Sequence, residues 1–360
     1  MYILGLSFFA TDSAAALLHD GQLIATAVEA RFSGTLHDGA FPAQAIAFCL
    51  QTASIDEAAL DYVVFYEKPL LKFERMLITT LGTFPRSRDL WRETVFSWLP
   101  KKLWVKSLIE SRVKVHPAQI LFCDHAMAHA ASAFFSSPFG EAAIMTVDTV
   151  GEWTTSALGQ GQGNTLTLFA EQRFPHSLGL FAATFSTFFG GGDAVFSELA
   201  VQGTPRYVDK VRQVCQVQPD GSITLDLTYF AFPYSTREWY TARFSKLFGA
   251  PGVTMPYAAD LAASVQVVIE DALVRMARTL HTRTGLDKLC LAGSMALNQT
   301  AIEKIKSDMT FNAVYMPAAP GDDGAALGAA LWAHHMIFEG ARAVTAVVNG
   351  AYLPKPPEAR

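Results

Sequence analysis

Apolar and polar positions along the chain follow two rhythms, and the changes between them mark the elements. Tyr2–Phe9 is a short apolar run that turns at Ala10–Asp12 and enters a small-residue segment, Ser13–Leu18. The turn signal His19-Asp20-Gly21 leads into Gln22–Val28, so these two segments read as a β-hairpin. Within Pro42–Ala53, Ile46 and Leu50 stand four residues apart, which predicts a helix with one apolar face. Tyr62–Tyr66 reads as a strand, and so does Gln119–Asp124; a helix follows from His125 to about Phe135, and Ala142–Asp148 is a strongly apolar strand. Turns at Val150–Gly151 and Gly161–Asn164 separate strands at Ser156–Leu158 and Thr165–Glu171, a second meander much like the first. Leu261–Arg283 carries a long helical pattern, and strand Lys288–Leu291 comes next. The turn Gly293–Asn298, a helix, strand Ala313–Met316 and the small-residue stretch Gly321–His335 complete the order.

A β-meander followed by helices is thus written twice. That layout predicts a duplicated α/β fold of the actin/hexokinase type, two RNase H-like halves with a ligand cleft between them. Residues 1–139 form the expected first half, 140–350 the second, and 351–360 a C-terminal tail. The first half is interrupted at 68–114, which holds 11 of the 28 Lys and Arg residues and three of the six Trp, with breaks at Gly82, Pro85 and Pro100. Its spacing predicts a helical insertion whose aromatics pack inward while its basic side chains face water. The sharper alternatives are a substrate vestibule or a membrane-surface patch.

Composition narrows the picture without redirecting it. With 51% apolar and 17% charged residues in 360, a large core is expected and disorder is not. A net charge of −5 argues against a nucleic-acid partner. No run of 18 uncharged apolar residues is present, so no membrane span is expected, and the N-terminal run lacks a basic flank and reads as a strand. Cys49, Cys123, Cys215 and Cys290 lie far apart with no C-x-x-C pair, which suits buried thiols in a reducing, cytoplasmic setting.

Four groups of residues carry candidate chemistry. His125 and His129, at i and i+4 on a helix, project two imidazoles from one face, close enough to share a divalent ion. With nine histidines in the chain, a chance pair at that spacing is common. Asp148 ends an apolar strand, where α/β folds place their ligands. Asp322 and Asp323 precede small residues at a helix start, where a cap is the plain reading and a metal ligand the sharper one. Two His and two Asp make a mixed N/O set for iron(II), zinc or manganese. Finally, the turn holding Gly293, Ser294 and Asn298, and the segment from Gly324 to Gly328, are small enough for close approach to phosphates or for tight helix–strand packing.

In order, these segments resemble the NodU-type O-carbamoyltransferases. The resemblance rests on Asp12–Leu18, Glu29–Phe32, His37–Pro42, Asp124–Phe134, Val147–Trp153, His176–Leu180 and the Gly293–Asn298 and Gly321–Ala330 turns. It implies an actin-like fold related to the threonylcarbamoyl-transferase of tRNA modification. It also implies an iron-type metal held by His125, His129, Asp148 and Asp322, a carbamoyl-adenylate made with ATP, and transfer to a hydroxyl of a small sugar-like or natural-product acceptor. Gly293, Ser294, Asn298 and Gly324 are then the nucleotide-side candidates, and Asp12 and His37 the catalytic ones.

The chain departs from the family pattern at Thr11, where the family has His, at Leu36, where it has Lys, and in Gly192–Ala200, where Val195 replaces a Lys and Glu198 a Gly. The family also continues into a further C-terminal domain of roughly 200 residues, the size of an ordinary domain. A separate adenylate-forming protein is therefore the expected partner, and homo-oligomerisation stays open. Two other readings share the scaffold: an iron(II) enzyme of different chemistry, and a non-catalytic metal- or nucleotide-binding subunit.

Overall fold

The computed structural model describes residues 1–96, 103–252, 254–342 and 351–353; Trp98 and Pro100 of the insertion lie outside them. Two mixed sheets organise the chain. In the first, β1 (Tyr2–Ser7), β2 (Ala14–His19) and β3 (Gln22–Val28) form an antiparallel meander, and β1 continues in parallel to β4 (Tyr62–Phe65) and β5 (Ile120–Phe122). In the second, β6 (Glu141–Val147), β7 (Thr154–Gln162) and β8 (Thr165–Arg173) repeat the meander. A small hairpin, β9 (Cys215–Val217) with β10 (Ile223–Leu225), stands apart. Strand β6 then pairs in parallel with β11 (Lys288–Ala292), and β11 with β12 (Ala313–Tyr315). The shared strand order is the expected duplication. One strand breaks the symmetry: β13 (Ala351–Leu353), at the start of the expected tail, pairs in parallel with β3 on the edge of the first sheet.

Helices follow the same division. In the first half come α1 (Ala30–Ser33), α2 (Ala43–Ala53), the insertion helices α3 (Pro69–Gly82), α4 (Arg88–Glu93) and α5 (Val105–Val113), and then α6 (His125–Ser136). The second contains α7 (Leu178–Phe189), α8 (Gly192–Gln202), α9 (Val208–Val211), α10 (Ala242–Phe248), α11 (Tyr257–Thr284), α12 (Gln299–Ser307) and α13 (Asp322–Trp332). The Gly192–Ala200 segment, which the resemblance treats as a loop, is therefore helical. None of the described helices is long and apolar enough to cross a membrane.

Central strands are buried on both faces, which is why β2 reads as Ala14-Ala15-Ala16-Leu17-Leu18 without alternation. Ala325, Ala329, Ala330 and Leu331 of α13 join the core of the first sheet although they follow the second sheet in sequence. The other core lies behind the second sheet, where Phe181, Phe185, Phe188, Phe189, Phe244 and Phe248 interleave with the apolar stripe of α11.

The insertion corrects one expectation. Phe84, Phe96 and Trp104 are exposed and Trp91 is 37% exposed, whereas Arg75 is buried. Three short helices enclose too little volume to hide every aromatic ring, and inward positions are claimed by charge. Lys72 donates to the buried Glu67 carboxylate at 2.6 Å, and Arg75 lies over the Phe174 ring at 5.0 Å with Glu67 and Glu152 as its nearby charges.

After α13 the chain places His334 and His335 side by side in buried positions. The His335 ring stacks on Phe135 at 4.5 Å and donates from Nδ1 to the Gly340 carbonyl. Burial, against the pull of that carbonyl, lowers its pKa to about 4. Its unfolded value is near 6.5, so this neutral ring contributes stability that is complete above about pH 6.5 and is lost as pH falls through about 4. Between pH 7 and pH 5 the wild type should lose about 1–2 kcal/mol more than His335→Gln, after allowance for solvent screening. Urea titrations at the two pH values check this; equal losses in both proteins would contradict it.

Candidate metal centre

Three element ends meet between the sheets. Helix α6 begins at His125, strand β6 ends one residue before Asp148, and α13 begins at Asp322. Asp148 is the hub. Its Oδ1 accepts from the Thr149 N–H at 2.7 Å and the Ser294 hydroxyl at 2.6 Å, and its Oδ2 faces His125 Nε2 at 2.8 Å and His129 Nε2 at 3.0 Å. The two imidazole nitrogens are 3.1 Å apart, and Asp322 Oδ1 stands 3.8 Å from one and 3.6 Å from the other. All four ligand atoms lie within 4.8 Å of one another.

Local packing explains this convergence. Gly328 of α13 lets that helix approach α6 so closely that an added Cβ would sit 1.8 Å from the Ala128 carbonyl oxygen. The approach carries Asp322 to His129. At Gly293, φ is +94° and an added Cβ would lie 2.3 Å from the Val147 carbonyl oxygen, so only glycine turns the chain there and brings Ser294 to Asp148. From below, Ser177 caps α7 and its hydroxyl donates to the Thr149 carbonyl, holding the loop that follows Asp148.

The electrostatics suit a cation. Burial opposes charge on His129, but hydrogen bonds and charge from Asp148 and Asp322 outweigh it and raise the pKa to about 10. Burial likewise opposes ionisation of Asp148, yet His125 and His129 hold its carboxyl well below the usual range. In the protein alone a proton thus partly neutralises two clustered carboxylates. The donor set also passes a geometric test. Bonds of about 2.1 Å to one shared ion separate neighbouring ligand atoms by about 3.0–3.4 Å; the separations that involve an imidazole run from 2.8 to 3.8 Å here, and the two carboxylates stand within 4.8 Å. His125 Nδ1 and His129 Nδ1 are buried without hydrogen-bond partners, so each ring commits only its Nε2 edge.

The other predicted site residues divide. Asp12 is buried and pairs with half-exposed His37, 3.6 Å away through Nδ1. Ser294 is tied to Asp148. Asn298 caps α12 through the Ala301 N–H and exchanges two hydrogen bonds with Gln266, so its amide is engaged within the fold. Gly324 sits against the Ala319 carbonyl at the start of α13, a packing contact.

Several residues escaped the reading of the sequence. Glu152 accepts the His125 N–H at 3.1 Å and the Lys68 N–H at 2.7 Å, which places a buried carboxylate at the positive end of α6 and ties it to the insertion. Tyr66 is fully buried with its ring 5.3 Å from that of His125, and its hydroxyl has no hydrogen-bond partner. Burial, reinforced by Glu67, Asp322, Glu152 and Asp148, holds that phenol protonated. Glu152 lies inside a motif that was recognised, Val147–Trp153, but its role follows only from the fold.

Residues 2–331 match the family described as carbamoyltransferase N-terminus. Over 98% of its length the chain is 40% identical to the uncharacterized protein sll1178 of Synechocystis sp., covering 60% of that protein. Over 90% of its length it is 28% identical to nodulation protein NolNO of Sinorhizobium fredii, covering 46%. The chain therefore spans about half to three-fifths of these relatives' lengths. Among solved structures, component A of the (R)-2-hydroxyglutaryl-CoA dehydratase of Acidaminococcus fermentans aligns with a TM-score of 0.51 at 15% identity. The alignment covers 93% of this chain and 98% of that one, a likeness of fold alone.

The close approach at Gly328 gives a direct test of how the centre is assembled. Gly328→Ala should destabilise the protein by about 2 kcal/mol or more, as overpacking does when the obstructing atom is backbone. Urea denaturation reads this; an unchanged midpoint would mean that α6 and α13 are not in contact there.

Proposed function

The chain belongs to the carbamoyltransferase N-terminus family, and from that premise we propose that it transfers a carbamoyl group from carbamoyl-adenylate to a hydroxyl of a small sugar-like or natural-product acceptor. The observation that carries the reading is the convergence of His125, His129, Asp148 and Asp322. Together they would hold a divalent ion, iron(II) being the expected one. Bound there, such an ion supplies Lewis-acid stabilisation of the donor's phosphate oxygens.

The remaining chemistry falls to the chain's own side chains. Asp12 stands 3.6 Å from His37 Nδ1, and in this reading the carboxylate aligns the imidazole as a general base. In this reading His37 takes the proton of the acceptor hydroxyl. The acceptor oxygen then forms its bond to the carbamoyl carbon as the bond from that carbon to the adenylate oxygen breaks, releasing AMP. In this reading the N-terminus of α13 faces the phosphates of the nucleotide. Tyr66 supplies a buried hydroxyl beside His125. Arg75 is a buried guanidinium with Glu67 and Glu152 as its nearby charges, Glu152 being the carboxylate that accepts the His125 N–H. In this reading it supplies the cation that Leu36 and Val195 do not. Because the chain spans only part of its relatives' length, formation of the donor is assigned to a separate protein or a further segment.

The test supplies carbamoyl-adenylate, generated by an adenylate-forming enzyme from carbamoyl phosphate and ATP, with a panel of polyols and amino-sugars and added iron(II), manganese or zinc. Mass spectrometry should show an acceptor gaining one carbamoyl group. His129→Ala should lower the rate about 100-fold or more, and His37→Asn about 100-fold with KM little changed, the loss expected of a general base. A panel left unmodified with every metal, or full activity in His129→Ala, would refute the proposal.

A further inference from the structure

A guanidinium taken out of water needs a partner for its charge and acceptors for its N–H groups. Arg342 shows how this chain meets that demand. Its terminal nitrogens donate to the Phe134, Ser137 and Gly163 carbonyls, and its charge lies over the Phe134 ring at 4.0 Å. Arg75, on helix α3, is more deeply buried and is matched by nothing of the kind. Its Nε is buried without a partner, and among the described residues no carbonyl or carboxylate accepts a hydrogen bond from either terminal nitrogen.

The two acids whose charge reaches Arg75 are held by other donors. Glu67 accepts from Lys72 at 2.6 Å, and Glu152 accepts the Lys68 N–H at 2.7 Å and the His125 N–H at 3.1 Å. Both oppose the burial that lowers the Arg75 pKa to about 10, so the group is a cation at neutral pH. The Phe174 ring, just past β8, lies 5.0 Å away. Such a ring attracts the charge but offers no lone pair to the N–H groups. The guanidinium thus stands between the insertion and the second half, one carboxylate removed from the metal centre. Its N–H donors, set in a rigid fork, suit two oxygens of one phosphate or carboxylate.

We propose that Arg75 anchors an oxyanion site, whose ligand is a phosphate or carboxylate group carried by a small molecule. An unmatched cation out of water is a cost that the fold alone does not recover, and an arriving anion offsets it. A purely structural cation would stand against Glu67 or Glu152 as an ion pair, as Lys72 does against Glu67. With 9% of its surface accessible, Arg75 can be reached by a terminal oxyanion and not by the broad face of a macromolecule. The proposal gives a ligand class to the cation of the transfer reading. Its test uses binding alone, so either can fail while the other stands.

The test is calorimetric titration of the full chain, prepared free of metal, with inorganic phosphate and separately with acetate. Sodium chloride at equal ionic strength is the blank, and the absence of metal keeps either anion from binding through an ion at His125, His129, Asp148 and Asp322. One saturable site is expected for at least one probe, and the tighter probe names the group. Arg75→Gln should weaken that binding about tenfold or more, as loss of a charge-assisted pair does. Arg75→Lys, which keeps the charge without the fork, should fall between. In buffer free of both probes the urea midpoint of Arg75→Gln should equal or exceed that of the wild type, because an unmatched buried charge has been removed. Three results would overturn the proposal: no saturable binding of either probe to the wild type, undiminished binding by Arg75→Gln, or a lower midpoint for that variant in the probe-free buffer. The last would make the guanidinium a structural counter-ion of Glu67 and Glu152.

Discussion

A buried carboxylate must be matched on every lone pair, and in this protein Asp148 imposes that demand where the two sheets face each other. One of its oxygens is matched within the second half, by the Thr149 amide and the Ser294 hydroxyl. The other is matched by imidazoles on α6, which begins at the edge of the first sheet. A single group therefore ties strand β6, the turn after β11 and the helix linking the sheets. Glycine at 293 and 328 can be understood as the backbone condition for meeting that demand, since a side chain at either position collides with a carbonyl. Asp322 adds a second carboxylate, and the excess of negative charge makes the cluster receptive to a cation.

Much of the architecture was legible because period and burial agree. The hairpin of β2 and β3, the α6 helix and the β6 strand read cleanly from apolar spacing, and the repeated meander pointed to duplication. The site was legible as a set of candidates. His125 and His129 declare themselves by spacing, whereas Asp148 meets them from the end of β6 and Asp322 through the packing of α6 against α13. Glu152 stands in a matching motif without a role that the sequence assigns, and Tyr66 looks like an ordinary strand aromatic.

The stretch between β8 and α11 was harder for a different reason. Helix α7 reads Phe181-Ala-Ala-Thr-Phe-Ser-Thr-Phe-Phe189 and is buried on most of its circumference, so it shows no polar face. In the insertion the period was right and the facing was wrong. Rules that send apolar side chains inward assume water outside and neutral surroundings inside. Here Glu67 and Glu152 are buried near the start of α3, and cations were drawn to them. Two buried carboxylates determined which side of a fourteen-residue helix faced inward.

Strand β13 has a consequence of another kind. The chain leaves the first half after α6, returns to it at α13, and β13 then closes against β3. Two covalent crossings join the halves, one running from α6 into β6 and the other from β12 into α13, and each lies next to ligands of the cluster. A body joined at two points has one easy rotation, about the line through both, as a door turns on two pins. The cluster is mounted on the pins, where a rotation displaces atoms least, so a swing of one half against the other leaves the distances from His125 and His129 to their carboxylates almost unchanged.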